Sequence, residues 1–193
     1  MTPPLPPAVD LTGVDLTTEV VRTARLVLRP PRQEDVDDVF RASQDPESQR
    51  WLPMPIPYTH EHAVEFVAQR IEERAEGRGL LSVIEADGRL VGSAGLHFPG
   101  SLLGPGVGYS VAPWARGHGY AAEAAAALAE WAFAHGAHRV HLLADVANIP
   151  SQVVARRAGF VEEGRMRACL PYRDRPHGDA LLFSRLPSDP APR

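Results

Sequence analysis

Residues 109–135, YSVAPWARGHGYAAEAAAALAEWAFAH, constrain most strongly what the rest of the chain can become. The stretch continues a short apolar run (Val107, Tyr109, Val111) that is stopped by Ala112-Pro113, because proline cannot donate to a strand ladder. Arg116-Gly117-His118-Gly119-Tyr120-Ala121 comes next, followed by an alanine-rich segment carrying Glu123, Leu128, Glu130 and Trp131. The order is strand, glycine-rich turn, helix. A helix start exposes unpaired N–H groups at the positive end of the macrodipole. Glycines at 117 and 119 keep side chains away from those amides, so a diphosphate can come close. Arg116 would add a fixed positive charge at the mouth. The hexapeptide reads as a pyrophosphate cradle, with an ordinary strand-to-helix turn as the plain alternative.

Two better-known phosphate loops do not fit. No lysine followed by serine or threonine comes after the glycines, which excludes a P-loop of the Walker type. The dinucleotide pattern G-x-G-x-x-G fails too. Ala122 stands three residues after Gly119, in a single strand–helix unit.

A chain of 193 residues is most simply one domain, large enough to bury a core. With 44% apolar and 23% charged residues it has the balance of an ordinary soluble protein. A net charge of −4 supplies no global basic field, so nucleic acid is not expected as a partner. The single cysteine, Cys169, excludes an internal disulfide framework and a cysteine-built zinc cluster. No apolar run approaches the roughly 20 residues that span a bilayer, so no membrane partner is expected. The opening MTPPLPPAVD has neither the basic nor the apolar region of a secretory signal. The expected location is the cytoplasm.

In chain order, residues 1–21 read as a proline-rich, partly disordered arm, with a short strand or arm around Gly13. Residues 25–29 alternate apolar and charged side chains, a half-buried strand closed by Pro30-Pro31. A helix follows over residues 33–42, with Val36, Val39 and Phe40 at helical spacing. Residues 44–60, QDPESQRWLPMPIPYTH, interleave prolines with Trp51, Leu52, Met54, Ile56 and Tyr58. No regular helix is expected there, and the loop either packs on the core or walls a cleft. Thr59 caps the next helix, whose buried side is Val64, Phe66, Val67 and Ile71. Residues 80–86 and 90–98 flank Asp87-Gly88, a hairpin signal. With residues 107–112 they make three antiparallel strands ahead of the central helix. Beyond it, residues 138–146 form a strand, which implies a parallel crossover. A short helix over residues 150–158 ends at Gly159. Strands over 160–170 and 179–186 close a single domain spanning residues 22–187, joined by the polar loop PYRDRPHG, and residues 188–193 read as a disordered tail.

Residues 116–121 match the form Q/R-x-x-G-x-G/A, which resembles the acyl-CoA motif of the GNAT superfamily of N-acyltransferases, where it holds the CoA pyrophosphate. Residues 148–160, NIPSQVVARRAGF, resemble the second half of that site, N-x-x-S-x-x-x-A-x-K/R-x-G-F. The continuation Glu163-Gly164-x-x-Arg167 and the late Gly178-Asp179 resemble the branch containing ribosomal-protein N-terminal acetyltransferases. The resemblance covers about residues 22–186. It implies an α+β (mixed α/β) GNAT fold: a central, mostly antiparallel sheet of about seven strands, splayed between the fourth and fifth, flanked by about four helices. Those two strands would be residues 107–112 and 138–146. A splay leaves backbone groups unpaired, and the amide-rich pantetheine arm can pair with them as an added strand would.

The activity implied is transfer of an acetyl or other short acyl group from acyl-CoA to a primary amine by direct attack on the thioester. The acceptor would be a protein N-terminus or a small molecule. Backbone groups near Val111 would pair with pantetheine, and the amides of Arg116, Gly117, His118, Gly119, Tyr120 and Ala121 would hold the pyrophosphate. Asn148 would hydrogen-bond the pantetheine arm, or serve as a turn residue. Ser151 would assist thiolate departure, or cap its helix. Arg157 would approach the CoA phosphates, or lie on a solvated helix face. Trp51, Met54, Tyr58 and His97 would line the acceptor side.

The sequence departs from the family at two positions. The tyrosine that many members use as the acid is Ala155 here, and the acidic residue that relatives often carry early in the fourth strand is Gly106. Ser151 is then the nearest donor to the leaving group. His97 is the remaining candidate base, because imidazole titrates near neutral pH; a structural strand histidine and a water relay are the alternatives. His135, His138 and His141 lack an acidic or cysteine partner at ligand spacing, so no metal is expected. The two departures also admit a catalytically weak acyl-CoA-binding sensor or partner protein. Homodimers are common in the family, which makes a homodimer the assembly to test.

Overall fold

Alternating apolar side chains generate one continuous sheet in the computed structural model, which describes residues 9–99, 102–172 and 176–192. The disorder expected at residues 1–8 and at residue 193, and residues 173–175 of the polar loop, lie outside that range. The elements run β1 (Val21–Arg22), β2 (Val27–Arg29), α1 (Val36–Ser43), α2 (Pro46–Trp51), α3 (His60–Ala75), β3 (Gly79–Ala86), β4 (Arg89–His97), β5 (Gly106–Val111), α4 (Tyr120–Ala134), β6 (Val140–Asp145), α5 (Ile149–Arg157), β7 (Val161–Leu170) and β8 (Gly178–Arg185). The sheet order is β1-β2-β3-β4-β5-β6-β8-β7. All neighbours are antiparallel except β5 and β6, which are parallel and joined by α4. Asp87 and Gly88 both take positive φ, 49° and 73°, as the two-residue turn between β3 and β4 requires.

The eight strands and five helices among the described residues, against about seven and about four expected, come from two short elements. β1 is the end of the N-terminal arm, which also buries Val9 and Leu16 in the core. α2 overturns the expectation that prolines exclude helix from residues 44–60. Pro46 sits in the first turn, where no N–H is needed, and the Asp45 side chain accepts from Ser48 N at 2.8 Å. The next proline, Pro53, lies beyond its end.

The sheet separates two apolar layers. Leu80, Ile84, Leu96 and Val107 pack against Leu128, Ala129 and Trp131 of α4. On the opposite face, Val83 and Leu90 pack against Val36, Val39, Ala63 and Val67. Full burial of a leucine such as Leu96 or Leu128 contributes roughly 1.5–3 kcal/mol. The buried stripe of α3 differs from the one expected: Val64 and Ile71 are exposed, and Ala63, Val67 and Arg74 face inward. Arg74 supplies what a pattern of apolar residues cannot signal. Its Nη1 donates to Leu81 O and Ser82 Oγ, and its Nη2 to Glu19 O, which ties the arm to the sheet. Burial lowers its pKa to about 10. Among the described residues, no helix is long and apolar enough to cross a membrane.

Candidate active site

β5 and β6 share one register pair, Gly106 with His141, and then separate. Each keeps an extended ladder with its other neighbour, β4 or β8. The sheet is therefore splayed at the place expected. Strand alternation decides which groups face the gap. Ala112 N donates to Val91 O on β4, and Pro105 O accepts from His141 N on β6. The intervening odd residues, Val107, Tyr109 and Val111, thus turn their N–H and C=O groups toward β6. Beyond Gly106 the ladder there has ended, leaving Tyr109 and Val111 as an open strand edge.

α4 begins at the mouth of this gap. Gly117 and Gly119 have φ of 82° and 79°, the left-handed region that glycine enters freely. Gly119 is the N-cap, no side chain caps the helix, and the first helical bond is Glu123 N to Gly119 O. The amides of Gly119, Tyr120, Ala121 and Ala122 thus have no intrahelical acceptor, and the macrodipole makes them attractive to an anion. The ring of His118 stacks on Tyr120, with Nδ1 turned back to Arg116 O at 2.9 Å. Arg116, expected as a fixed positive charge at the mouth, is tied to Asp45 and donates to Ser48 Oγ at 3.0 Å. That guanidinium holds the Asp45 carboxyl below its usual range. No sequence signal points to Arg25, whose guanidinium lies over the Tyr120 ring and donates to His118 O, with Glu123 as its ion partner.

Across the gap, Asn148 caps α5 by accepting from Ser151 N at 3.1 Å. Capping therefore belongs to Asn148, and the alternative of Ser151 as the cap is withdrawn. Ser151 Oγ lies 2.9 Å from Tyr109 Oη. In the sequence Tyr109 falls within an apolar run, and no spacing links it to Ser151. Burial pushes its phenol up to about 12, against the hydrogen bond to Ser151. Ala155 is fully buried on α5. Arg157 is exposed, whereas Arg156 pairs with Glu162.

On the opposite face of the sheet, a cavity of about 480 Å³ lies under α1, α2 and α3. Val39, Leu52, Met54, Tyr58, Phe66 and Val83 give it an apolar body, and Ser93, Ser110 and His97 bring polar groups to its β4–β5 floor. Of the expected acceptor residues, Met54, Tyr58 and His97 line it and Trp51 does not. Trp51 donates to Glu47 Oε1 instead, with Arg50 packed on its ring. A Cβ added at Gly108 would lie 4.0 Å from His97 Nε2, so the imidazole leans over β5. Burial lowers the His97 pKa, Arg70 lowers it further, and Glu73 opposes. At Gly106 an added Cβ would stand 3.0 Å from the His141 ring. The imidazole of His141 thus fills the space of the side chain missing at 106, and burial lowers its pKa too.

The comparisons with known proteins agree with this fold. Residues 25–161 match the model of the acetyltransferase (GNAT) domain. An uncharacterized N-acetyltransferase of Bacillus subtilis (strain 168), YnaD, is 26% identical over 152 residues, 78% of this chain and 88% of that protein. Mycobacterium smegmatis RimJ, solved in complex with CoA-disulfide, superposes with a TM-score of 0.78 at 27% identity over 88% of each chain. RimL, a ribosomal L7/L12 alpha-N-protein acetyltransferase solved without ligand, gives a TM-score of 0.76 at 21% identity, covering 87% of this chain and 94% of that one.

Proposed function

The chain belongs to the GNAT acetyltransferase family, and on that premise we propose that it transfers an acetyl group from acetyl-CoA to a primary amine carried on an apolar body. One observation carries this reading. The open edge of β5 and the uncapped N-terminus of α4 lie in sequence along one gap, offering an amide-pairing strand and then an anion-binding helix start. That is the order of groups along acyl-pantetheine and its diphosphate.

The amides of residues 119–122 hold the pyrophosphate, and the edge groups of Tyr109 and Val111 pair with the pantetheine amides. The Val111 N–H is the donor for the carbonyl oxygen as it becomes an oxyanion. The amine arrives from the cavity side, as the N-terminus of a polypeptide or as a small molecule. It must lose a proton before it can attack, and His97, held neutral by its lowered pKa, accepts it. Ser151 donates a hydrogen bond to the departing sulfur. Asn148 acts through the α5 cap, which sets the position of Ser151.

The test is acetyl-CoA consumption with a panel of apolar, polar and charged amines and short peptides. Free CoA is measured alongside the acetylated product by mass. Stoichiometric CoA and N-acetyl product are expected, fastest with apolar amines. Tight acetyl-CoA binding with no turnover across the panel would instead identify a binding module.

A further inference from the structure

Tyr109 contributes to the gap twice. Its backbone forms part of the open β5 edge, and its side chain reaches α5, where Oη lies 2.9 Å from Ser151 Oγ and 3.1 Å from Ser151 O. A tyrosine hydroxyl has a single proton to give. The Ser151 carbonyl lies inside α5, where the helix ladder supplies an N–H from one turn on. The serine oxygen is the closer of the two acceptors. When Oη–H donates to Oγ, the serine keeps its own proton free to turn into the gap. With the bond reversed, that proton is held inside the pair.

The geometry points to Tyr109 as a positioning residue for the reaction: its hydroxyl fixes Ser151 Oγ across the gap and directs the serine proton toward the leaving sulfur. This rests on the reading of Ser151 given above. Ala155 lies one turn after Ser151 on the same face of α5 and carries no polar group. The second hydroxyl of the pair therefore comes from the strand side of the gap.

Tyr109 is not itself the acid. Its pKa near 12 lies well above the roughly 8.5 of an ordinary thiol, so full proton transfer to the thiolate would be uphill. The proton count closes without it. The amine has lost one proton before attack; its nitrogen then bonds to the carbonyl carbon, and the C–S bond breaks with its electron pair passing to sulfur. The Ser151 hydrogen bond stabilises that sulfur while the second amine proton completes the CoA thiol.

The experiment compares Tyr109→Phe, Ser151→Ala and the double variant, with kcat, both KM values and melting temperature for each. Phenylalanine keeps the ring and removes only Oη. Each single change is expected to lower kcat by roughly tenfold with both KM values unchanged, the size of one lost hydrogen bond. The double variant should be no slower than Ser151→Ala alone, because the two act as one unit. Multiplying losses, or a Tyr109→Phe variant with wild-type kcat and a lower melting temperature, would overturn the proposal. If Ser151→Ala keeps wild-type kcat, the reading of Ser151 has failed and the proposal falls with it. A slow Ser151→Ala beside a normal Tyr109→Phe removes only the tyrosine's role.

Discussion

Arg116 of the glycine-rich loop is ion-paired with Asp45, the residue that caps α2, so the loop before α4 and the wall of the cavity beneath α1, α2 and α3 share one salt bridge. Ser48, which lines the cavity, is bonded to the same guanidinium. Asp45→Asn keeps the cap, because asparagine serves that position as well, but removes the carboxylate charge that pairs with Arg116. The expected result is a two- to fivefold rise in the amine KM, the range of a partly exposed pair, with no loss of acetyl-CoA affinity. Titration of each substrate against the variant decides. Weaker acetyl-CoA binding with an unchanged amine KM would place Asp45 in the donor site instead.

Gly119 allows stability and binding to be separated. Its positive φ makes Gly119→Ala cost about 1 kcal/mol or more in backbone strain, seen as a lower melting temperature. The added Cβ would meet only Arg25 Nη2, at an ordinary 3.6 Å. Gly119→Asp is better tolerated in this conformation but sets a carboxylate beside the amides that the diphosphate uses. It should weaken acetyl-CoA by at least ~1.4 kcal/mol, or tenfold in Kd, by calorimetry. If Gly119→Asp folds and binds acetyl-CoA normally, the cradle lies elsewhere.

The proposed role of His97 as base predicts an acid limb in the pH profile. The neutral imidazole is the active form, so kcat/KM should fall as pH drops through its pKa. Burial and Arg70 place that midpoint below the usual value of about 6.5. His97→Gln should abolish the limb and cost on the order of 10²-fold. A limb that survives in this variant assigns proton removal to another group.

Asn148 predicts a stability effect with its own control. Asn148→Ala removes the α5 cap and should cost about 1 kcal/mol, whereas Asn148→Asp retains an acceptor for Ser151 N–H and should cost little. Thermal melts of the two variants check this. Equal melting temperatures would separate Asn148 from the start of α5.

Most of the architecture was legible because its signals are local. Asp87-Gly88 marks the hairpin, Thr59 caps α3, and Gly117 and Gly119 mark the turn into α4, each within a few residues of the element it defines. What escaped depends on residues far apart in the chain. Arg25 reaches the cradle from the start of the domain, Tyr109 meets Ser151 across the splay, and Arg74 is buried by accepting groups of the arm and β3. Asp45 is the instructive failure. Asp45-Pro46 is a helix-start signature, and an expectation drawn from all four prolines of residues 44–60 passes over it. The space beside Gly106 is filled by the ring of His141, on a strand that only the parallel pairing brings alongside.

The most direct test of the central claim is the position of acetyl-CoA in a crystal of the complex. The diphosphate should lie on the amides of residues 119–122, with pantetheine paired to the β5 edge. The thioester oxygen should lie within roughly 2.7–3.1 Å of the Val111 N–H. A ligand seated outside the β5–β6 gap, or a diphosphate held by side chains away from the start of α4, would contradict it.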